Sequence, residues 1–327
     1  MLFYSGSDSG DGGLSDAAIW RDGADGLDEL SSIALRSPSW VVPHPRLPIL
    51  YAAQESEPGE VVAIAVAPDG AMQIRQRADS HGTYPCHLAI DAAAEQLVVS
   101  NYGDGAVAAW PLAPDGALVE PSAVWQWSGA GPVADRQEQS HAHMAELQGE
   151  TILVADLGSD ALVRLESAGR STFELSLPPG FGPRHFMMLG GNRAALVGEL
   201  SAELALIDLG PHPHVLDIVP ATQFDGALPS GIATRGAEVV VANRFVGTIA
   251  AFTVEGDRLV RGEELRLPGD SPRAIASDGE RVFVCVQDAG VIATYFSGAS
   301  HGPQLTRAPH VSDFGVIPWS GAITAGG

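Results

Sequence analysis

Basic side chains that can bind or polarise an anion follow short corners rich in proline or small residues. Each corner comes just before an apolar, strand-like run. The basic residues at these corners are His87, His141, His143, Arg184, His185 and Arg273. An imidazole can activate water, and a guanidinium can stabilise the oxyanion that forms when water adds to a carbonyl carbon. If the fold brings them together, these residue types favour ester or lactone chemistry.

A second set of polar side chains lies in the turns after the next apolar run of each unit. These residues are Asn101, Glu199 and Arg244. Glu199 is flanked by Gly198 and Leu200 within an apolar hairpin, where glutamate is uncommon. A carboxylate there could activate water, and a carboxylic acid could protonate a leaving alkoxide. The turns therefore add acid–base and anion-binding groups to those at the corners.

His141 and His143 are two residues apart, and in an extended strand such residues point to the same face. The spacing predicts two imidazoles side by side, roughly 6–7 Å apart at the backbone. A third ligand of matching spacing is not evident, so no metal site is predicted. A structural interpretation stays open for each residue: a histidine can serve as a hydrogen-bonded core group, and Arg184 or Arg244 as a strand-start salt bridge.

The corners recur at regular intervals, which indicates an internal repeat. The intervals between them are 47, 55, 43, 46, 43 and 46 residues. The corners lie at Pro38, Pro85, Ser140, Pro183, Pro229, Pro272 and Pro318. Strands and turns alternate within each full unit, and no helical period of ten or more residues appears. Repeats of ~40–50 residues with about four short strands are typical of β-propeller blades.

The repeat predicts an all-β, seven-bladed β-propeller with four antiparallel strands in each blade. Six units are complete, and the seventh combines both ends of the chain. Its strands are predicted at residues 2–5, 14–20 and 30–35, joined by a last strand at 319–323. Such a joint closes the ring and removes exposed sheet edges. The ring counts as one domain over residues 1–327, with residues 124–136 inserted as a loop on one face.

Composition limits the partners and the compartment. A formal charge of −22 argues against nucleic acid and anionic membranes as partners. All 18 basic residues are arginine, so lysine nucleophiles are excluded and an anion site requires a local cluster of arginines. Cys86 and Cys285 are too isolated to form a disulfide framework. No leader or membrane-spanning run is apparent, and we expect a cytoplasmic monomer or homodimer.

Several motifs, taken in order at blade spacing, resemble the lactonase family of seven-bladed propellers. They are PCHLAID from Pro85, SNYGDG from Ser100, SHAH from Ser140, ADLGSD from Ala155, GPRH from Gly182, GEL from Gly198 and ANR from Ala242. This family includes cycloisomerase-type 6-phosphogluconolactonases and carboxymuconate-cyclising enzymes. The resemblance covers nearly the whole chain and implies a site at the ring centre that needs neither metal nor cofactor. It implies that His143, Arg184, Glu199 and Arg244 are the active-site residues.

Around these four residues, we expect further substrate contacts from the remaining corner and turn side chains. These are His87, His141, His185, Arg273 and Asn101. The chain departs from the family pattern at Gly198, where asparagine is usual, at Ser230-Gly231, which replaces Ala-His, and at Ala274, which replaces an aromatic residue. Each change removes bulk or a polar group near the mouth, which predicts an altered pocket.

The favoured function is a lactone hydrolase of the 6-phosphogluconolactonase kind, acting on a small anionic lactone or sugar phosphate. Glu199 or His143 would activate water, and Arg184 and Arg244 would bind the phosphate or the developing oxyanion. One alternative is a cycloisomerase for a muconate-type dicarboxylate at the same site. Another is a non-catalytic scaffold, since many propellers only bind partners.

Overall fold

The chain folds almost entirely into short β-strands. The structure, a computed structural model, describes residues 1–8, 13–166, 170–296 and 303–318. Within these residues there are 28 strands and a 3-10 turn at Leu157–Ser159. Tight turns such as Pro68-Asp69-Gly70 reverse the chain between strands, with Gly70 in the left-handed region at φ +88°. No helix in the described part is long and apolar enough to cross a membrane.

The strands form seven four-stranded antiparallel sheets, which confirms the predicted propeller. Blade 1 combines both ends of the chain. It contains β1 (Leu2–Ser7), β2 (Leu14–Asp22), β3 (Leu27–Arg36) and β28 (Val311–Val316). Blade 2 contains β4 (Pro38–Pro43), β5 (Ile49–Gln54), β6 (Glu60–Val66) and β7 (Met72–Asp79), and blade 3 contains β8 (Pro85–Ile90), β9 (Gln96–Asn101), β10 (Val107–Pro111) and β11 (Ala123–Trp125).

The other four blades repeat this pattern of consecutive strands. Blade 4 contains β12 (Ala142–Gln148), β13 (Thr151–Asp156), β14 (Ala161–Glu166) and β15 (Ser171–Ser176), and blade 5 contains β16 (Pro183–Gly190), β17 (Arg193–Gly198), β18 (Glu203–Asp208) and β19 (His214–Pro220). Blade 6 contains β20 (Leu228–Arg235), β21 (Glu238–Arg244), β22 (Thr248–Glu255) and β23 (Arg258–Arg266), and blade 7 contains β24 (Pro272–Ser277), β25 (Arg281–Val286), β26 (Val291–Phe296) and β27 (Gln304–Arg307).

The innermost strands close a ring. Strands β4, β8, β12, β16, β20, β24 and β28 contact one another in that order, and β28 contacts β4. The hydrophobic core is divided among the seven interfaces between neighbouring blades. Between blades 7 and 1, for example, Phe3, Phe283 and Phe314 pack with ring centroids 5.0–5.2 Å apart. Burying one such side chain stabilises the fold by about 1.5–3 kcal/mol, so each blade depends on its neighbours.

The predicted position of the closing strand was wrong. The strand that joins β1 is β28 (Val311–Val316), with Tyr4 opposite Gly315, whereas residues 319–323 lie outside the described residues. In the corner before β28 the proline is Pro309, two residues before the first strand residue Val311, whereas in the five blades marked by proline it is the first or second residue of the strand itself. Pro309 lies only 37 residues after Pro272, whereas Pro318 lies 46 residues after it and fits the repeat interval, although it follows the strand.

The expected insertion is only partly a loop. Residues 123–125 form β11, the outermost strand of blade 3, and the loop begins after Trp125. Its far end is fixed by the buried side chain of Gln137, which donates to the Leu157 carbonyl at 2.8 Å and to Asp160 Oδ1 at 2.7 Å. Because these bonds anchor the loop to blade 4, the neighbouring residue Arg136 is held in a fixed place.

Candidate active site

Seven equivalent positions on the innermost strands surround the ring axis. In blade 5, Pro183 pairs with Gly198, the last residue of the second strand, and in blade 2 Pro38 pairs with Gln54 in the same way. The residue that follows this proline is Arg184 in blade 5 and Ser39 in blade 2, and the same position can be identified in every other blade from the strand register. We call this set the strand ring: Ser312, Ser39, Cys86, His143, Arg184, Ser230 and Arg273.

A second set of equivalent residues lies at the end of the second strand of each blade: six directly follow the strand, and Arg244 is the last residue of β21. The backbone N–H of Glu199 donates to the Gly182 carbonyl at 2.8 Å, and that of Glu55 donates to the Ser37 carbonyl at 2.9 Å. Tyr102, Leu157, Gln287 and Asp8 make the same bond in their blades, and Arg244 takes the matching register in blade 6. We call this set the turn ring: Asp8, Glu55, Tyr102, Leu157, Glu199, Arg244 and Gln287.

The two rings enclose a cavity of about 260 Å³, close to the lower limit for small-molecule sites. Small-molecule sites are usually lined mainly by apolar side chains, whereas this cavity is lined mainly by charged and polar ones. The lining residues are Ser39, Trp40, Glu55, Cys86, Tyr102, Arg136, His143, Arg184, His185, Glu199, Arg244, Arg273 and Ser312. Six of the nine predicted site residues are among them: His143, Arg184, His185, Glu199, Arg244 and Arg273.

One side of the cavity, which we call the positive wall, consists of Glu199 and the arginines around it: Arg136, Arg184 and Arg244. The carboxylate of Glu199 is 2% exposed and contacts three guanidiniums: Arg184 Nε at 2.8 Å and Arg244 Nη2 at 2.7 Å on Oε2, and Arg136 Nη2 at 2.6 Å on Oε1. Burial raises the pKa of Glu199, but the Arg244 and Arg184 guanidiniums outweigh burial and lower it to about 2. The carboxylate is therefore ionised at neutral pH and is a very weak base.

Arg136 is a site residue that the sequence interpretation missed. Beside its bond to Glu199, its guanidinium contacts the Tyr102 hydroxyl at 3.2–3.3 Å. Its side chain is 35% exposed, compared with 18% for Arg244 and 5% for Arg184. Arg136 was overlooked because it comes from the insertion and not from a repeated corner. It is the most exposed of the three arginines that contact Glu199.

Two neutral histidines line the cavity beside this wall. The rings of His143 and His185 lie 5.2 Å apart, and His185 Nδ1 is 3.5 Å from Arg184 Nη1. Burial, reinforced by the Arg184 guanidinium, lowers the pKa of both histidines well below the ordinary value. Each imidazole is therefore uncharged at neutral pH and keeps a lone pair that can accept a proton.

Three of the predicted site residues are described by the structure but do not line the cavity: His87, His141 and Asn101. The Asn101 amide donates to the carbonyls of Ser80 and Ala106 at 3.1 Å, which holds the turn after β9. His87 packs between Trp40 and His185, and burial lowers its pKa to about 3. Their substrate contacts stay predictions, and their observed contacts are structural.

The two histidines of the SHAH motif do not share the cavity. His141 precedes β12, and the β12–β13 register shifts between Ala142 and Met144, which breaks the regular alternation of side chains at His143. The ring of Tyr102 stacks on His141 at 4.5 Å and meets His143 edge-on at 5.5 Å. Only His143 therefore lines the cavity, while the predicted side-by-side arrangement of the two imidazoles stays a prediction.

On the opposite side of the cavity, one guanidinium contacts two carboxylates. Arg273 Nη2 lies 3.1 Å from Glu55 Oε2, and Arg273 Nη1 lies 2.9 Å from Asp8 Oδ2. Burial raises the pKa of Glu55 in spite of Arg273, and Asp8 adds to the increase. Among the described residues, no group of three or more His, Cys, Asp or Glu side chains has an arrangement that could hold a metal ion.

The seven blades and their charged central cavity define a class of protein. Residues 5–310 match the model of the family described as "Lactonase, 7-bladed beta-propeller". The chain belongs to this family, as its motifs suggested.

Relatives with known names are similar over most of the chain. A 6-phosphogluconolactonase of Bacillus subtilis (strain 168) is 28% identical over 272 residues, which span 76% of each chain. A 6-phosphogluconolactonase of Formosa agariphila is 26% identical over 194 residues, 55% of this chain and 54% of that one. A periplasmic gluconolactonase of Pseudomonas aeruginosa shares the fold, with a TM-score of 0.84, 23% identity and coverage of 96% and 98%.

Proposed function

We propose that this protein is a lactone hydrolase and that its substrates include a phosphorylated sugar lactone such as 6-phosphogluconolactone. The observation that carries the proposal is the cluster of three guanidiniums around Glu199 beside the neutral imidazole of His143, all in one small cavity. Two relatives that bear the name 6-phosphogluconolactonase support it.

The proposed roles follow from the charges. His143 takes a proton from the attacking water: burial and Arg184 keep its imidazole uncharged, and the nearby Glu199 carboxylate acts in the opposite direction and stabilises the imidazolium that forms. Arg184 and Arg244 stabilise the oxyanion that develops on the carbonyl oxygen, or bind the substrate's anionic group. Glu199 holds these arginines in place and does not act as the base, because both of its oxygens already contact guanidiniums. No step requires a metal or an organic cofactor.

The same chemistry explains how a protein of charge −22 could bind an anion. The average surface repels an anionic lactone, whereas the positive wall concentrates three of the 18 basic residues around one carboxylate. In a site shielded from water, such fixed guanidiniums act more strongly than they would in solution. A muconate-type dicarboxylate could bind the same wall, so a cycloisomerase assay belongs beside the lactone assay.

The decisive experiment measures ring opening of 6-phosphogluconolactone and of unphosphorylated gluconolactone. Slightly acidic pH limits spontaneous opening. The change is Arg184→Ala, and we expect kcat/KM to fall by about 10²–10³, the usual loss when an oxyanion donor is removed. Arg193→Ala is the matched control, because Arg193 is paired with Asp257 on the exposed surface. Wild-type turnover in Arg184→Ala would contradict the proposal, and inertness of the wild-type protein toward both lactones would favour a binding scaffold.

A cytoplasmic location is part of this proposal. Both cysteines are buried and unpaired, which suits a reducing compartment. The periplasmic relative from Pseudomonas aeruginosa makes the periplasm the alternative, and fractionation of cells that express the natural gene distinguishes the two.

A further inference from the structure

Glu55 occupies the same place in the fold as Glu199. Each residue directly follows the second strand of its blade, and each donates its backbone N–H to the carbonyl that precedes the innermost strand. Blades 2 and 5 are three blades apart in a ring of seven, so the two carboxyl groups face the cavity from opposite sides. The fold thus presents a second carboxyl group to any ligand that contacts the positive wall.

The groups that face Glu55 come from five blades. They are Asp8 from blade 1, Ser39 from blade 2, Cys86 from blade 3, Arg184 from blade 5 and Arg273 from blade 7. Only Arg273 forms an ion pair with it among the described residues, and that guanidinium is shared with Asp8. Burial, the largest effect, raises the pKa of Glu55 in spite of Arg273, and the nearby carboxylate of Asp8 adds to the increase.

We propose that Glu55 is a second catalytic residue, which donates a proton to the alkoxide that leaves when the lactone ring opens, and that Arg273 positions it. The inference rests on the proposed lactonase function and deepens it. Glu199 is unsuited to this role because three guanidiniums keep it ionised, whereas Glu55 lines the same cavity and its side chain is 22% exposed.

The proton transfers balance without any additional reactant. The water oxygen forms a bond to the carbonyl carbon, and its proton moves to His143. The bond between that carbon and the ring oxygen then breaks, and the ring oxygen takes the proton of Glu55. The products are a carboxylic acid and an alcohol on one open chain. The protonated His143 and the ionised Glu55 return to their starting forms when one proton passes from imidazole to carboxylate through solvent.

The test is Glu55→Gln, which preserves size and removes the acid. We expect kcat for 6-phosphogluconolactone to fall by about 10²–10³, within the range for loss of a general acid, while KM stays within about threefold. Wild-type kcat should fall as pH rises through the raised pKa of Glu55, because the protonated form is the donor. This basic limb should disappear in Glu55→Gln. Glu57→Gln, an exposed glutamate two residues away, is the matched control.

Arg273→Gln tests the positioning role with a readout that mere structural damage would not produce. Without the guanidinium the pKa of Glu55 rises further, so the basic limb of kcat should move to higher pH. If Glu55→Gln does not fold, Glu55→Asp takes its place; it should lose at least about tenfold in kcat and keep the basic limb.

The outcomes separate this inference from the function on which it rests. Unchanged kcat and pH profile in Glu55→Gln, in a protein that Arg184→Ala inactivates, would overturn the role of Glu55 and leave the lactonase proposal standing. A wild-type protein that opens neither lactone would overturn both.

Discussion

Two glutamates at equivalent backbone positions experience opposite surroundings in this propeller. Glu199, in blade 5, contacts three guanidiniums, whereas Glu55, in blade 2, shares a single guanidinium with Asp8. Burial raises the pKa of both carboxyl groups; Arg244 and Arg184 reverse this at Glu199, whose pKa falls to about 2, whereas at Glu55 burial and Asp8 outweigh Arg273 and the pKa rises. The backbone repeat supplies the position of each carboxyl group, and its neighbours determine its charge.

The difference suggests a division of labour across the cavity. A wall with an excess of guanidiniums can bind anions and stabilise a developing oxyanion, but its carboxylate cannot exchange protons near neutral pH. A wall with an excess of carboxyl groups can hold a transferable proton, but it repels anions. Pairs of titratable groups whose pKa values are pushed apart by their environments are a common pattern in acid–base catalysis. Here the same backbone position provides an ionised carboxylate that holds the arginines, Glu199, and a carboxyl group proposed as the acid, Glu55.

The largest expected effect is the loss of the carboxylate at the centre of the positive wall. Glu199→Ala leaves Arg184 and Arg244 buried without their partner, so we expect the free energy of unfolding to fall by about 3–5 kcal/mol. Turnover should fall at least ~10³-fold, because the arginines no longer have a fixed geometry. Urea unfolding and the lactone assay measure the two effects. Glu203→Ala, a change on the neighbouring strand β18, is the control.

The sign of the pH dependence sharpens this prediction. Because the folded-state pKa of Glu199 is depressed to about 2, its contribution to stability is fully present above the unfolded-state value of about 4.5. That contribution is lost as pH falls from there toward 2. Glu199→Gln should therefore flatten the acid side of the stability curve. Glu55→Gln should not flatten the acid side. The pKa of Glu55 is raised in the folded state, so its contribution to stability is present at low pH and is lost as pH rises. Identical acid limbs in wild type and Glu199→Gln would show that the two walls do not differ as described.

A smaller effect is expected from Arg136, the most exposed guanidinium of the positive wall. Arg136→Ala leaves Glu199 paired with Arg184 and Arg244, so the fold and kcat should change little. Loss of one charge-assisted hydrogen bond to a substrate anion costs about 1.5–3 kcal/mol, which corresponds to at least about a tenfold rise in KM for the phosphorylated lactone. Steady-state kinetics on both lactones measure the effect.

The control for Arg136 is Arg75→Ala. Arg75 is an exposed arginine of blade 2 that pairs with Asp115 of blade 3. The unphosphorylated lactone provides a second control, because it lacks the anion and should show a smaller rise in KM. An equal rise for both lactones would place the contact of Arg136 elsewhere on the substrate and not on its phosphate.

The repeat explains which parts of this molecule were predictable from sequence. Five proline corners and one serine corner, Ser140, marked six innermost strands, and they placed His143, Arg184 and Arg273 on one ring because equivalent strand positions meet at the axis. Before β28 the proline is Pro309, only 37 residues after Pro272, so the repeat interval favoured Pro318 and the closing strand was misplaced. Long-range closure depends on pairing with β1, which no local pattern records.

The missed site residues had different kinds of signal. Glu55 follows Gln54 as Glu199 follows Gly198, so aligning the second strands of all blades would have found it. Arg136 had no such signal, because an insertion has no equivalent in the other blades. The ratio of guanidiniums to carboxylates on each wall was also hidden, since it depends on long-range contacts such as Arg136 with Glu199, 63 positions apart, and Arg273 with Glu55, 218 positions apart.

The smallest expected effect concerns a third buried carboxyl group, for which the described part of the chain shows no guanidinium partner. Asp313, on β28, is 2% exposed and accepts a hydrogen bond from the Val41 backbone N–H at 2.8 Å. Burial raises its pKa to about 7, in spite of backbone hydrogen bonds from Val41 and Phe314. Its protonated form is thus favoured by folding, and that contribution to stability is lost as pH rises from the unfolded-state value of about 3.8 through 7.

Asp313→Asn replaces the carboxyl group with a neutral side chain that can still accept from Val41. We expect the variant to be more stable than wild type at pH 8 by about 1 kcal/mol or more, which raises Tm by about 1–2 °C or more, and to lose this advantage at pH 5. Thermal unfolding at both pH values measures the difference. Asp69→Asn removes a carboxylate from an exposed turn and should show no such dependence. If the two variants respond alike, the charge of a buried carboxyl group in this ring is not set by its guanidinium neighbours, and the contrast between Glu199 and Glu55 needs another cause.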